Sequence, residues 1–276
     1  MIERELTGAG VAAEVLRFGM DGAPLSQYLH VLRREVRAFK PDLVLVQLIH
    51  NDFDESYRFL KTRYASSFLK IGFDPAGRPF EIEPADFRPG MADRLRAFNT
   101  FRYLYYKTNA YLRFKRFVSR YWWGGEGEYA REFVSPAVDV RKITDHVNNR
   151  RVARYVLSKV RALAQQDGFR LLLAMDGVRD AIYAGKAPDD YEVGKLNGLV
   201  GEVASELDIP LLDLHATFAD HYARNQQRFE FAYDWHWNVL GNRLVGEAIA
   251  RVLLRDPGHS PGSALRGAQA ALPPRG

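Results

Sequence analysis

The chain has 276 residues, of which 47% are apolar and 26% charged, the balance of a globular protein rather than a disordered or membrane-spanning one. Cysteine is absent, which excludes disulfides, thiolate metal sites and a cysteine nucleophile. A net charge of +5 and a pI near 9.3 support a modest preference for anionic surfaces and no more.

No uncharged apolar run reaches about 18 residues, so an ordinary transmembrane helix is not expected. Met1 to Leu6 carries no basic start, apolar stretch or small-residue cleavage site of a signal peptide. The length suits one main α/β domain with an embellishment rather than two independent domains.

In chain order, Ala13 to Phe18 predicts a short strand, closed by the turn Gly19-Met20-Asp21-Gly22. Leu25, Leu29, Leu32, Val36 and Phe39 then place an apolar stripe on a helix ending before Pro41. Asp42 to Leu48 is a nearly continuous aliphatic run, the pattern of a central parallel strand buried on both faces, with His50-Asn51-Asp52 at its C-terminal end.

Between Phe53 and Val140 the alternation breaks, and roughly 53–140 is expected to be an insertion. Phe68 to Glu83 predicts a hairpin turning at Asp74-Pro75-Ala76-Gly77-Arg78. Beyond it, Val152, Val156, Val160 and Leu163 outline a helix stopped by Gly168, and Phe169 to Ala174 the next buried strand. A helix over about 190–207, a short strand at Ile209 to Asp213 and a last helix from Val239 to Leu254 complete the pattern. Such alternation implies a mostly parallel sheet covered on both sides. Residues 1–254 form the expected domain, and the Gly-, Pro- and Ser-rich 255–276 a disordered tail.

Three features carry chemistry. Asp234-Trp235-His236 precedes the last helix, and an Asp-x-His pair can set an imidazole against a carboxylate that fixes its tautomer. Its plainer reading is a helix cap beside a surface histidine. Asn51 ends the aliphatic strand, where doubly wound sheets form their crevices and where an amide can donate to an oxyanion; an Asx-turn is the alternative. Gly22 can bring a backbone N–H close to a ligand, or simply make a turn. Asp52 is expected to brace its loop.

The three features in this order resemble the SGNH hydrolase (GDSL-like lipase/esterase) family. Phe18-Gly19-Met20-Asp21-Gly22 is similar to its second block, His50-Asn51-Asp52 to its third and Asp234-Trp235-His236 to its fifth. The resemblance implies a three-layer α/β/α, flavodoxin-like fold in which a serine attacks an ester carbonyl. His236 would be the general base, Asp234 its orienter, and the Gly22 backbone and the Asn51 side chain oxyanion donors. It implies no cofactor and no metal.

The sequence departs from that pattern at Ile49, where glycine is usual, and at Arg17, where asparagine is frequent. The first block, a Gly-Asp-Ser turn after the first strand, belongs upstream of Ala13, and no serine lies in Met1 to Val11. Ser26, Ser56, Ser66 and Ser67 do not match the strand-end position. The expectation is therefore a truncated hydrolase, inactive as it stands, whose lost central strand exposes apolar edges of two neighbours. An O-acyltransferase using the same groups and a catalytically dead binding module are the alternatives.

From Arg94 to Trp123 aromatic and basic residues are dense without Asp or Glu. The stretch suits an amphipathic helix packed on the body, an acyl pocket, or a lipid surface contact. An ester substrate is the expected partner and nucleic acid is not. His30, His146, His215, His221 and His259 lack partners at metal-ligand spacing.

Overall fold

The structure, a computed structural model, describes residues 1–20, 22–58, 68–85, 94, 98–100, 143–231 and 236–255. The chain divides into two compact units, one of Met1–Pro84 with Phe133–Gly276 and one of Ala85–Glu132. Residues 101–123 of the aromatic and basic stretch and the 256–276 part of the tail lie outside the described residues.

The larger unit is built on a parallel sheet, β1 (Leu43–Leu48), β4 (Arg170–Met175) and β5 (Leu211–Asp213), in the order β1-β4-β5. Leu43 to Leu48 pair residue by residue with Arg170 to Met175, and Leu173 to Met175 with Leu211 to Asp213. Because side chains alternate across a strand, β4 feeds two cores. Leu171, Leu173 and Met175 enter one and Leu172 and Ala174 the other.

The first core is closed by α2 (Leu25–Arg34), α4 (His146–Asp167) and α6 (Lys195–Glu206), through side chains such as Leu29, Val156 and Val200. The second is closed by α1 (Ile2–Gly8), α5 (Arg179–Ala184), α7 (Leu214–Asn225) and α8 (Val239–Arg255), through Leu6, Ile182, Phe218 and Ile249. Helices therefore cover both faces of the sheet, and the domain is a three-layer α/β/α fold.

α4 shows why the local sequence suffices for such a helix. Asp145 caps it by accepting from the Asn148 N–H at 3.1 Å. Val152, Val156, Val160 and Ala164 run down its buried face. Gly168 ends it in the left-handed region at φ 79°, where a Cβ would clash with the carbonyl. The hairpin is equally local. β2 (Lys70–Phe73) and β3 (Pro79–Ile82) pair antiparallel, and Asp74 Oδ1 accepts from the amides of Ala76 and Arg78. The hairpin belongs to the larger unit, with Leu69 and Ile71 fully buried in the first core.

Three expectations change. Ala13 to Phe18 forms no strand, and Val15 and Leu16 are exposed. A strand is stable only when its amides pair with a neighbour, and the Val15 N–H instead donates to Glu3 Oε2 at 3.0 Å. β1 is an edge strand among the described residues, not a central one, with β4 as its neighbour. The helix expected to carry the stripe from Leu25 through Phe39 stops at Arg34. A 3-10 turn at Val36–Phe39 follows and leaves Phe39 59% exposed, with Lys40 left-handed at φ 48°. Pro41 accounts for the end of the 3-10 turn, since it disfavours right-handed helical backbone at Lys40.

Candidate active site

The C-terminal ends of β1, β4 and β5 meet in one polar network, buried at His50, Asp176 and Asn197 and exposed at Asp213. β1 runs into His50 and then α3 (Asn51–Glu55); β4 into Asp176; and β5 into Asp213, which caps α7 through the His215 N–H at 2.8 Å. Asn197 on α6 joins all three. Its Nδ2 donates to the Asp176 carbonyl at 3.0 Å and to the Asp213 carboxylate at 3.1 Å. Its Oδ1 therefore faces His50 Nε2 at 2.9 Å, and the imidazole donates from Nε2.

His50 is buried, and burial holds its pKa below the ordinary imidazole range, against the pull of Asp176. His215, whose Nδ1 accepts from the Val178 N–H at 3.2 Å, is lowered by burial in the same way. With native pKa values depressed, the unfolded chain binds more protons below its ordinary value of 6.5. The stability these neutral rings contribute is complete above pH 6.5 and is lost as pH falls toward the native values. His50→Gln removes one of the two, so its urea stability is expected to fall less steeply with acid than the parent's, by up to about 1.4 kcal/mol per pH unit. Equal slopes would show that burial does not lower the His50 pKa.

The Asn51 side chain lies at this sheet end, at the start of α3, and donates from Nδ2 to Glu55 Oε1 at 3.0 Å. An amide nitrogen carries two hydrogens, so one can serve Glu55 and the other a ligand oxygen. Asp52 braces the loop: its Oδ2 accepts from the Ile49 N–H at 2.8 Å and from Tyr28 Oη at 3.0 Å. Burial pushes the Asp52 carboxyl well above the usual range, and burial together with Asp52 raises the Tyr28 phenol.

Gly22 is left-handed at φ 65° and faces open space. The helix after it is tied to the same sheet end, because the Ser26 N–H donates to Ser56 Oγ at 3.0 Å beside α3. Ser26 and Ser56 are themselves fully buried, their hydroxyls donating to the carbonyls of Leu69 and Asp52. Neither is presented to a substrate.

His236 is exposed, on a loop whose two stems pair at Glu230 and Trp237. The Phe231 N–H donates to the His236 carbonyl at 2.9 Å and the Asn238 N–H to the Phe229 carbonyl at 3.0 Å. Asp234, the proposed orienter, lies outside the described residues. What brings the loop to the sheet is Trp237, whose Nε1 donates to Asp176 Oδ1 at 3.2 Å. The loop of His236 and the turn of Asn51 thus attach to the same end of the sheet, through β4 and β1.

Sequence reasoning did not single out Asp176, Asn197 or Trp237. Asp176 had a signal, a carboxylate directly after the aliphatic run of β4; Asn197, mid-helix, had none. A separate groove of about 450 Å³ runs between α7 and α8, lined by Arg224, Arg243 and Arg251 among others, and shares no residue with the strand ends. No group of three possible metal ligands occurs among the described residues, and no helix among them is long and apolar enough to cross a membrane.

Residues 139–275 match a family model described as SGNH hydrolase-like domain, acetyltransferase AlgX. Comparison with curated proteins and with solved structures gave no match. The matched span holds β4, β5, α4 to α8 and the Asp234-Trp235-His236 loop, while Gly22 and Asn51 precede it. Through residues 139–275, the chain belongs to the SGNH hydrolase-like family.

Proposed function

We propose that this domain provides the base and oxyanion groups of a serine-dependent acyl site acting on esters. His236 is the general base, Asp234 orients it, and the Asn51 amide and the Gly22 N–H stabilise the tetrahedral oxyanion. The observation that carries the reading is the Trp237 to Asp176 hydrogen bond, which brings the histidine loop to the sheet end where Asn51 sits.

The nucleophile is a serine on a strand that is not among the described residues, added at the open edge of β1. The edge supports this, because among the described residues no strand pairs with the outer side of β1, where Leu43 and Leu45 are half-buried. Transfer of an acyl group to a hydroxyl acceptor is the second reading, and the description of the matching family model, which names an acetyltransferase, favours it.

The test is fluorophosphonate labelling of the 276-residue chain and of the chain lengthened by its upstream coding sequence. The longer form is expected to label at one serine and to release acetate from an aryl acetate; adding an alcohol acceptor separates transfer from hydrolysis. If neither form labels and both still bind a ligand, the domain is a binding module.

A further inference from the structure

We infer that Asp176 and Trp237 are positioning residues, which aim the His236 side chain by clamping its loop to the end of the central strand. The inference rests on the reading of His236 as the base. Asp176 is only 1% exposed and is fixed on every side. Its N–H donates to the Leu48 carbonyl at 3.0 Å, continuing the β1–β4 ladder, and its carbonyl accepts from Asn197. Its Oδ2 accepts from Arg179 Nη2 at 3.0 Å, and its Oδ1 from its neighbour Gly177 N–H at 2.8 Å and from the Trp237 indole.

Trp237 is held as firmly from the other direction. Its ring packs 5.8 Å from Phe218 in the second core. A Cβ on Gly241 would stand 2.3 Å from the Phe229 carbonyl and 2.9 Å from Trp237 Cβ, so glycine is what lets α8 close on the stem. The opposite stem is anchored by Glu230, whose carboxylate accepts from the Tyr183 hydroxyl on α5.

The stem closes at a single bridge, Glu230 with Trp237, with the Phe231–His236 and Asn238–Phe229 backbone bonds on either side of it. Trp237 is held on Asp176 and Phe218, and His236, directly before it at an exposed bend, leaves the chain from backbone that this anchoring fixes. A histidine on a freely rotating loop would sample many directions. Proton transfer requires the imidazole within hydrogen-bond reach of its partner, so the clamp acts on turnover rather than on substrate affinity.

Trp237→Phe keeps the packing ring and removes the indole donor. In the 276-residue protein, hydrogen exchange at the Phe231 and Asn238 amides is expected to rise roughly tenfold or more, with the urea midpoint moved little. Asp176→Asn, which retains an oxygen for the indole, is expected to hold loop exchange near the parent's while lowering the midpoint, because buried Arg179 loses a charged partner. In the form that labels with fluorophosphonate, Trp237→Phe is expected to lower kcat about tenfold or more with KM unchanged.

Unchanged exchange in Trp237→Phe would overturn the clamp, and so would a rise in exchange that merely tracks global unfolding. Raised loop exchange with full kcat would overturn the positioning role. Full turnover in His236→Ala would defeat the underlying reading while leaving the measured clamp in place, so the two failures are distinguishable.

Discussion

His236→Ala, made in the form of the protein that labels with fluorophosphonate, is expected to lower ester turnover by about 10²- to 10⁴-fold and to leave the fold intact. The first part follows from the proposed role. A serine hydroxyl is a weak nucleophile until a base takes its proton, and the same base returns a proton to the leaving group. The second part follows from the place. The His236 side chain is exposed, and the bond that helps close the loop uses its carbonyl, which alanine keeps. Its stability is therefore expected to stay within about 0.5 kcal/mol of the parent. Turnover and urea melts on the same preparation check both, and parental turnover would remove His236 from the mechanism.

Asn197→Ala is expected to cost about 2 to 4 kcal/mol of stability, read as a lowered urea midpoint at unchanged m. The side chain is 5% exposed and joins the ends of all three strands. Its loss strands two buried partners, the His50 Nε2–H and the Asp176 carbonyl, and each such orphan carries a desolvation penalty of roughly 1 to 3 kcal/mol. Asp213 suffers less, because it is exposed and water can replace the amide. A midpoint close to the parent's would show that water reaches the network and that Asn197 is dispensable to it.

Such a network was not legible in the chain. Asn197 lies among Leu196, Leu199 and Val200 on α6, and no local rule distinguishes a helical asparagine that bonds three strands from one that caps nothing. Asp176 was nearer to legible, since a charged residue directly after a five-residue buried run, Leu171 to Met175, must find partners at the strand end. Trp237 stood inside the motif that drew attention to His236, yet its neighbour Asp234 took the notice, because an Asp-x-His pair has a chemical reading and a tryptophan beside it does not.

The elements that came out of the sequence as expected are those whose cause is local. The hairpin is dictated by Asp74 and Gly77, α4 by Asp145, its apolar stripe and Gly168, and α8 by the register of Leu240, Leu244, Ala248 and Val252. In each case the hydrogen bonds or the buried face belong to residues within a few turns of one another. Ala13 to Phe18 shows the opposite case. Its alternation reads as a strand, but a strand's amides are satisfied by another segment, and no such segment pairs with it among the described residues.

The sequence by itself therefore determined α4, α6 and α8, the hairpin, the alternation that makes a layered α/β domain, and the likeness to the SGNH hydrolase-like family. The tertiary structure decided which strand lies at the sheet's edge, which polar side chains meet at the strand ends, and what holds the histidine loop there. The physical reason is the range of the interaction. Periodicity, caps and turns act between neighbours in the chain, whereas the bonds from Asn197 to His50, Asp176 and Asp213, and from Trp237 to Asp176, join residues 16 to 147 positions apart and exist only once the sheet has assembled.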